Sequence, residues 1–216
     1  MSTDLGSVWR AFATYRGTSP VTRAFVAARL VVAPLGPLTE EALPLEGRLL
    51  SLGSGVGIVE RYLAEINPRL QIEGVDLDPR RIELIRSTQE RSPRVTLRQG
   101  DATGIDEPAV YDAVLVCDAL HHFDPESHKP LAQAIAACLK PGGVCIVKDL
   151  DVRPRWKHEW NRLHDRIVAG PEPIFCRTPD ETAELFAGAG LVPERIERTD
   201  HRLTPYAHYL VRARKP

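Results

Sequence analysis

The glycine cluster Gly53-Ser54-Gly55-Val56-Gly57, directly behind the apolar run Leu49-Leu50-Ser51-Leu52, constrains this chain more than any other feature. An apolar run of that length suits a buried strand, and glycines behind it let the backbone turn sharply beneath a ligand. Val56 to Ile66 then carries helical apolar spacing, and a second apolar strand, Leu70 to Val75, closes on Asp76. Together these make a nucleotide-binding βαβ unit. In such a unit the acid after the second strand hydrogen-bonds ribose hydroxyls, while the turn touches the other end of the ligand. A nucleoside-bearing cofactor is expected.

Spacing narrows the choice. The dinucleotide pattern Gly-x-Gly-x-x-Gly would need glycine where Ile58 stands, whereas the third glycine here is Gly57. Gly-x-Gly-x-Gly after an apolar strand resembles motif I of the class I S-adenosylmethionine (SAM) methyltransferases. Four further motifs of that family follow in order: Gly74-Val75-Asp76, Gly100-Asp101-Ala102, Tyr111-Asp112-Ala113-Val114-Leu115-Val116, and Leu139-Lys140-Pro141-Gly142-Gly143. The resemblance covers residues 47 to 150. It implies a SAM site built from Gly53, Ser54, Gly55, Gly57, Asp76, Leu77, Asp101, Ala102 and Cys117, with Asp76 on the ribose and Asp101 on the adenine amine. One departure stands out, because the family often has an acid where this chain has Ser51, which bears on the contact to the cofactor's amino group.

Composition agrees with a folded enzyme domain. The 216 residues are 43% hydrophobic, enough for one domain with a full core. A net charge of -1 offers no global attraction to nucleic acid or to anionic membranes, so nucleic acid is not expected as a partner and no stable membrane insertion is expected. The cysteines Cys117, Cys138, Cys145 and Cys176 lack Cys-x-x-Cys spacing, and two of them fall in predicted central strands. That suits a reducing, cytoplasmic setting with no metal. No signal-peptide pattern opens the chain, and its most apolar stretch, Ala24 to Leu38, holds Arg29 and two prolines and is too short to span a bilayer.

Strand and helix periodicities alternate along the chain, which predicts an α/β fold with helices on both faces of the sheet. The expected strands are 47–53, 70–76, 94–99, 111–117, 143–149, 192–199 and 206–214. Asp78-Pro79 and Thr178-Pro179 read as helix starts, the latter helix ending at Gly188 and Gly190. The last two strands are joined by a short segment around Arg202 to Pro205, too short for a helical crossover, so they should pair antiparallel. A Rossmann-like, seven-stranded, mostly parallel sheet with an antiparallel last strand is therefore expected, in one domain over 1–216.

Two segments lie outside that core. Residues 1–45 read as a helical cap, with helices about 7–16 and 20–33, and 151–176 reads as a lid at the carboxyl ends of the strands, where such sheets bind ligands. They are expected to build the acceptor pocket, with Tyr15 from the cap and Trp156, Trp160 and His164 recurring on one helical face of the lid. The arginines Arg10, Arg16, Arg23 and Arg29 among Trp9, Phe12, Tyr15 and Phe25 read as a solvated face over buried aromatics, with a membrane-surface helix as the alternative.

Methyl transfer from SAM needs alignment and exclusion of water, and a neutral acceptor also needs a base. Base candidates stand where the fourth and fifth strands end. Some natural-product O-methyltransferases carry a similar Leu-His-His with an acid ending the fifth strand. By that resemblance His121 or His122 takes the acceptor proton and Asp149 orients the ring. The plainer reading has both histidines capping a helix or packing beneath the cofactor. The Asp/Asn-Pro-Pro-Tyr motif of the family's amide and base N-methylating members is absent, its place held by Cys117-Asp118-Ala119-Leu120. The sequence thus points to O-methylation of a small, apolar or aromatic acceptor. C-methylation, or SAM binding without methyl transfer, are the alternatives.

Overall fold

The computed structural model describes residues 5–32, 35, 38, 43–44, 46–168, 173–199 and 205–216. Two helices come first, α1 (Leu5–Ala13) and α2 (Pro20–Val32). Then β1 (Glu46–Leu52), α3 (Ile58–Ile66), β2 (Arg69–Asp76), α4 (Pro79–Arg86), β3 (Val95–Gln99) and β4 (Tyr111–Cys117) follow in alternation. After them come α5 (Pro125–Cys138), β5 (Leu139–Leu150), α6 (Arg155–Val168), α7 (Pro179–Gly188), β6 (Val192–Arg198) and β7 (His208–Arg214). The seven strands form one sheet in the order β3-β2-β1-β4-β5-β7-β6. β7 runs antiparallel to both β5 and β6, and the other pairs are parallel. This is a Rossmann-like, doubly wound sheet with a reversed strand next to its edge.

Alternation of side chains sends Leu49, Leu115 and Ile146 to one face, where they pack with Tyr15, Val26, Leu30 and Leu63. Leu50, Leu52, Val114, Val116 and Val147 go to the other, against Leu131, Ile135 and Phe186 of α5 and α7. Central strands buried on both faces explain the unbroken apolar runs, which a half-exposed sheet would interrupt with polar residues.

The helix starts follow their caps. Asp78 accepts the Arg80 N–H with Pro79 in the first turn. Thr178 and Glu181 form a reciprocal capping box, and α7 ends at Gly188. Three elements differ from expectation. α3 starts at Ile58 rather than Val56, because Gly57 adopts a left-handed conformation at φ 76° and keeps the turn open. β5 starts at Leu139 rather than Gly143, since Leu139 pairs with Tyr111 across an irregularity before Val144 resumes opposite Ala113. α1 is shifted toward the N-terminus and gives way to turns before Gly17. Apart from Pro205, the connection around Arg202 lies outside the described residues. The strand order reverses between β1 and β4, so the crevice at their carboxyl ends is where such a sheet binds a ligand.

Candidate functional site

The glycine turn forms the floor of that crevice. Gly53 has φ +73°, and a Cβ there would stand 2.5 Å from the Ala119 Cβ, so glycine lets the turn lie against the chain leaving β4. Gly55 faces the other way, with nothing within 4 Å of the place a Cβ would occupy. The turn is tied down from several sides. Gly53 and Ser54 donate to the Val75 carbonyl at 2.9 and 3.1 Å, and the Tyr15 hydroxyl donates to the Val56 carbonyl at 2.8 Å. Asp76, buried at the end of β2, accepts the Gly55 N–H at 2.7 Å and the Asp78 N–H at 3.0 Å. Two buried polar atoms at this turn, Ser54 Oγ and Glu60 Oε2, have no hydrogen-bond partner among the described residues. An open glycine face, a buried acid at the second strand and unspent polar atoms are what a polar nucleoside ligand would complete, so the residues fit SAM.

Leu77 is exposed beside Asp76, and Ala102 is buried beside Asp101. Asp101 accepts from Thr103 N and Oγ1, both at 2.8 Å, and so caps a short 3-10 turn after β3. Cys117, the last residue of β4, is half-buried at the crevice. Burial, then the Asp118 charge, pushes its thiol up, which leaves it a neutral wall.

Beyond Cys117 lies a buried ionic cluster. Asp118 has φ 50°, an unusual left-handed conformation for a residue with a side chain. Its carboxylate accepts the Lys148 ammonium at 2.8 and 3.0 Å and also the Arg29 guanidinium from α2. His208 Nε2 approaches it at 3.5 Å. Burial disfavours the charge, but Lys148 and then Arg29 outweigh it and hold the Asp118 carboxyl well below the usual carboxylate range. Burial and the nearby Lys148 push His208 down to about 3, so its ring is neutral at physiological pH.

Next to that cluster the ends of β4 and β5 bring His121 and Asp149 together. The His121 Nδ1 meets Asp149 Oδ1 in a short contact, and the His121 backbone N–H donates to Oδ2 at 3.1 Å. Asp149 also accepts the Leu150 N–H at 2.6 Å. Both side chains are buried. His122 is exposed, its ring 4.2 Å from that of His121. Phe175 N–H donates to the His121 carbonyl at 2.7 Å, which draws the segment before α7 over the pair.

The outlying segments are arranged otherwise than expected. Tyr15 is 0% exposed, with its ring beneath Arg61 and its hydroxyl spent on the glycine turn, so it supports the turn and offers no surface to an acceptor. The solvated arginine face over buried aromatics holds in part, with Arg10, Arg16 and Arg23 exposed and Tyr15 buried, and is corrected at three residues. Trp9 and Phe25 are exposed, while Arg29 turns inward, because Asp118 presents a buried charge within its reach. On α6, Trp156 and Trp160 are 59% and 44% exposed. His164 stands edge-on to Tyr206 at 5.3 Å, and Tyr206 lies 5.9 Å from His208, so an aromatic series runs from α6 to Asp118. Sequence reasoning missed Glu60, Arg29, Tyr206 and His208. Only Glu60 had a sequence signal, the missing acid at Ser51.

Residues 49–143 match the model of a family described as a methyltransferase domain. A carboxy-S-adenosyl-L-methionine synthase from Chromohalobacter salexigens is 28% identical over 144 residues, 62% of this chain and 53% of that protein, so the chain spans about half the length of this relative. Among solved structures, the 1,6-didemethyltoxoflavin-N1-methyltransferase of Burkholderia thailandensis, with 1,6-didemethyltoxoflavin and S-adenosylhomocysteine bound, aligns with a TM-score of 0.67. It is 20% identical, over 100% of this chain and 91% of that one. The [4+2]-cyclase SpnF aligns with a TM-score of 0.68 at 19% identity, over 84% of this chain and 80% of that one. One fold thus serves a methyltransferase and a cyclase, and the reaction has to be argued from the site.

Proposed function

We propose that this chain, whose residues 49–143 match a methyltransferase domain, is a class I, SAM-dependent enzyme that methylates a small, apolar or aromatic acceptor at oxygen. The observation that carries the oxygen assignment is the contact between His121 Nδ1 and Asp149. Bound SAM supplies an electron-poor methyl group on a sulfonium. The chain contributes position and a proton acceptor. Gly53, Ser54, Gly55 and Gly57 would cradle the cofactor, Asp76 and Leu77 would hold the ribose side, Asp101 and Ala102 the adenine, and Cys117 would form the neutral wall.

An aspartate accepting from Nδ1 fixes the tautomer and puts the imidazole's basic lone pair on Nε2, the arrangement of a general base for a hydroxyl. The pairing with Asp149 favours His121 over His122 in that role. The exposed Trp156 and Trp160 of α6, with His164 leading inward to Tyr206, support an apolar or aromatic acceptor on that side. Arg29 on Asp118 fastens α2 over the strand ends, which supports a cap over the crevice, and α6 serves as the lid. No helix among the described residues is long and apolar enough to cross a membrane. The free cysteines Cys117, Cys138, Cys145 and Cys176 support a reducing, cytoplasmic setting.

The test is ligand-dependent melting. S-adenosylhomocysteine should raise the melting temperature and NAD or NADP should not, because a ligand that binds only the folded state stabilises it. Stabilisation by NAD alone would refute the cofactor assignment. Labelled SAM offered with phenols, hydroxy acids and lipid precursors then reports the acceptor, and label appearing only on ring carbon would refute O-methylation.

A further inference from the structure

The glycine turn covers a carboxylate that neither the fold nor the proposed reaction explains. Glu60, in the first turn of α3, is buried, and its Oε1 accepts the Ser51 hydroxyl at 2.5 Å at the end of β1. Its second oxygen, Oε2, is buried with no hydrogen-bond partner among the described residues. Asp76 and Cys117 stand near enough to interact with it from the ends of β2 and β4, Arg61 from its own helix, and Tyr15 from the turn after α1. The cationic group among these, Arg61, is directed elsewhere, donating to Thr14 and Thr88 at 2.8 and 2.7 Å. An acid oxygen buried without a partner is a costly arrangement that a cation placed against it would relieve.

The cofactor reading supplies such a cation. We propose that Glu60 is the counter-charge for the ammonium at the amino-acid end of SAM, with Ser51 holding the carboxylate in place. The inference rests on the cofactor assignment and adds a binding residue to it. The direction of the ligand follows from the strand ends. Asp76 marks the ribose side at β2, whereas Ser51 and Cys117 lie at β1 and β4, toward the opposite end of the ligand. Arg29 and Lys148, both paired with Asp118, lie just beyond Cys117, so a cluster with one more cation than anion stands on the side away from Glu60.

Burial pushes Glu60 up to about 7, against the hydrogen bond from Ser51, so the ligand-free protein holds this group partly protonated at neutral pH. Binding of an ammonium favours the ionised form and releases the proton.

The experiment compares S-adenosylhomocysteine, which keeps the amino-acid end, with 5′-methylthioadenosine, which lacks it, by calorimetry on wild type and Glu60→Gln. Loss of a charge-assisted contact should weaken S-adenosylhomocysteine binding at least about tenfold. Methylthioadenosine affinity should stay within about twofold, below the worth of one such bond. Equal affinity for S-adenosylhomocysteine in both proteins, or equal losses for both ligands, would overturn the role of Glu60. Wild-type protein needs no substitution: its affinity for S-adenosylhomocysteine should rise by about tenfold from pH 6 to pH 8, as a group titrating near neutrality ionises. A flat profile, or the same rise with methylthioadenosine, would overturn the proposal. Failure of wild type to bind either ligand would instead refute the cofactor assignment itself.

Discussion

Asp118 is the point at which the cap, the sheet and the candidate site meet, and Asp118→Asn tests that junction. Asparagine tolerates the left-handed backbone that Asp118 adopts, so the substitution removes charge without forcing a new conformation. The Lys148 side chain is 0% exposed and is held by Asp118 at 2.8 Å. Without the carboxylate, a buried ammonium and the Arg29 guanidinium lose their shared counter-ion. Removing one partner of a buried pair costs about 3 to 5 kcal/mol, mostly from the charge left behind. For a chain of this length each kcal/mol shifts the melting temperature by about 2 to 4 °C, so a fall of about 6 to 20 °C is expected. Scanning calorimetry near pH 7 measures it.

Two companion measurements separate this account from loose packing. Lys148→Met in the Asp118→Asn background should recover much of the loss, because an apolar chain of similar length needs no counter-charge. Amide exchange in α2 should quicken in Asp118→Asn, since Arg29 no longer anchors that helix to the strand ends. A melting temperature within about 3 °C of wild type, equivalent to roughly 1 kcal/mol, would refute the reasoning. The pH dependence has a definite sign. The folded-state pKa of Asp118 lies below its unfolded value, so its contribution is present above the unfolded pKa and lost as pH falls through the folded one.

Two further outcomes follow from the same geometry. Glu60 has its pKa raised from 4.5 to about 7, so the folded state binds its proton more tightly. Its stabilising contribution is full below 4.5 and is lost as pH rises through 7, a swing of about 3 kcal/mol. Glu60→Gln, free of that penalty, should gain melting temperature over ligand-free wild type at pH 8 relative to pH 5, and parallel pH profiles would show that Glu60 is not held neutral. His121→Ala should lower turnover of a neutral acceptor about 100- to 10,000-fold with S-adenosylhomocysteine affinity little changed, whereas His122→Ala should matter far less. Full activity of the double variant in a labelled-SAM assay would reject a histidine base and favour an acceptor that is already anionic.

The features legible in the sequence are those whose physical cause is local. Strand boundaries at the central elements follow from apolar runs, because a strand buried on both faces tolerates few polar residues, and the helix starts at Asp78 and Thr178 follow from side chains that satisfy their own first turns. β5 begins four residues before the expected Gly143, since Pro141-Gly142-Gly143 looks like a turn while Leu139 pairs with Tyr111. The candidate site divides along the same line. Gly53 to Gly57 and Asp76 lie within one βαβ unit, whereas the His121–Asp149 pair is anticipated only through the resemblance to O-methyltransferases that carry Leu-His-His after the fourth strand and an acid ending the fifth.

The partners that decide the chemistry are farther apart. Arg29 and Asp118 are separated by 89 positions, and nothing in the amphipathic pattern of α2 distinguishes the arginine that turns inward from those that face water. That outcome depends on Asp118 presenting a buried carboxylate where α2 crosses the strand ends, a property of the assembled fold. Glu60 shows the converse. An acid in the first turn of a helix ordinarily serves the helix dipole at the surface. Here the close packing of α3 beneath the glycine turn buries it against Ser51, so a residue type common in first turns becomes a charge the protein cannot solvate alone. Burying Glu60 away from water gives up stability that the proposed ammonium contact would restore, so ligand binding and folding should draw on the same free energy.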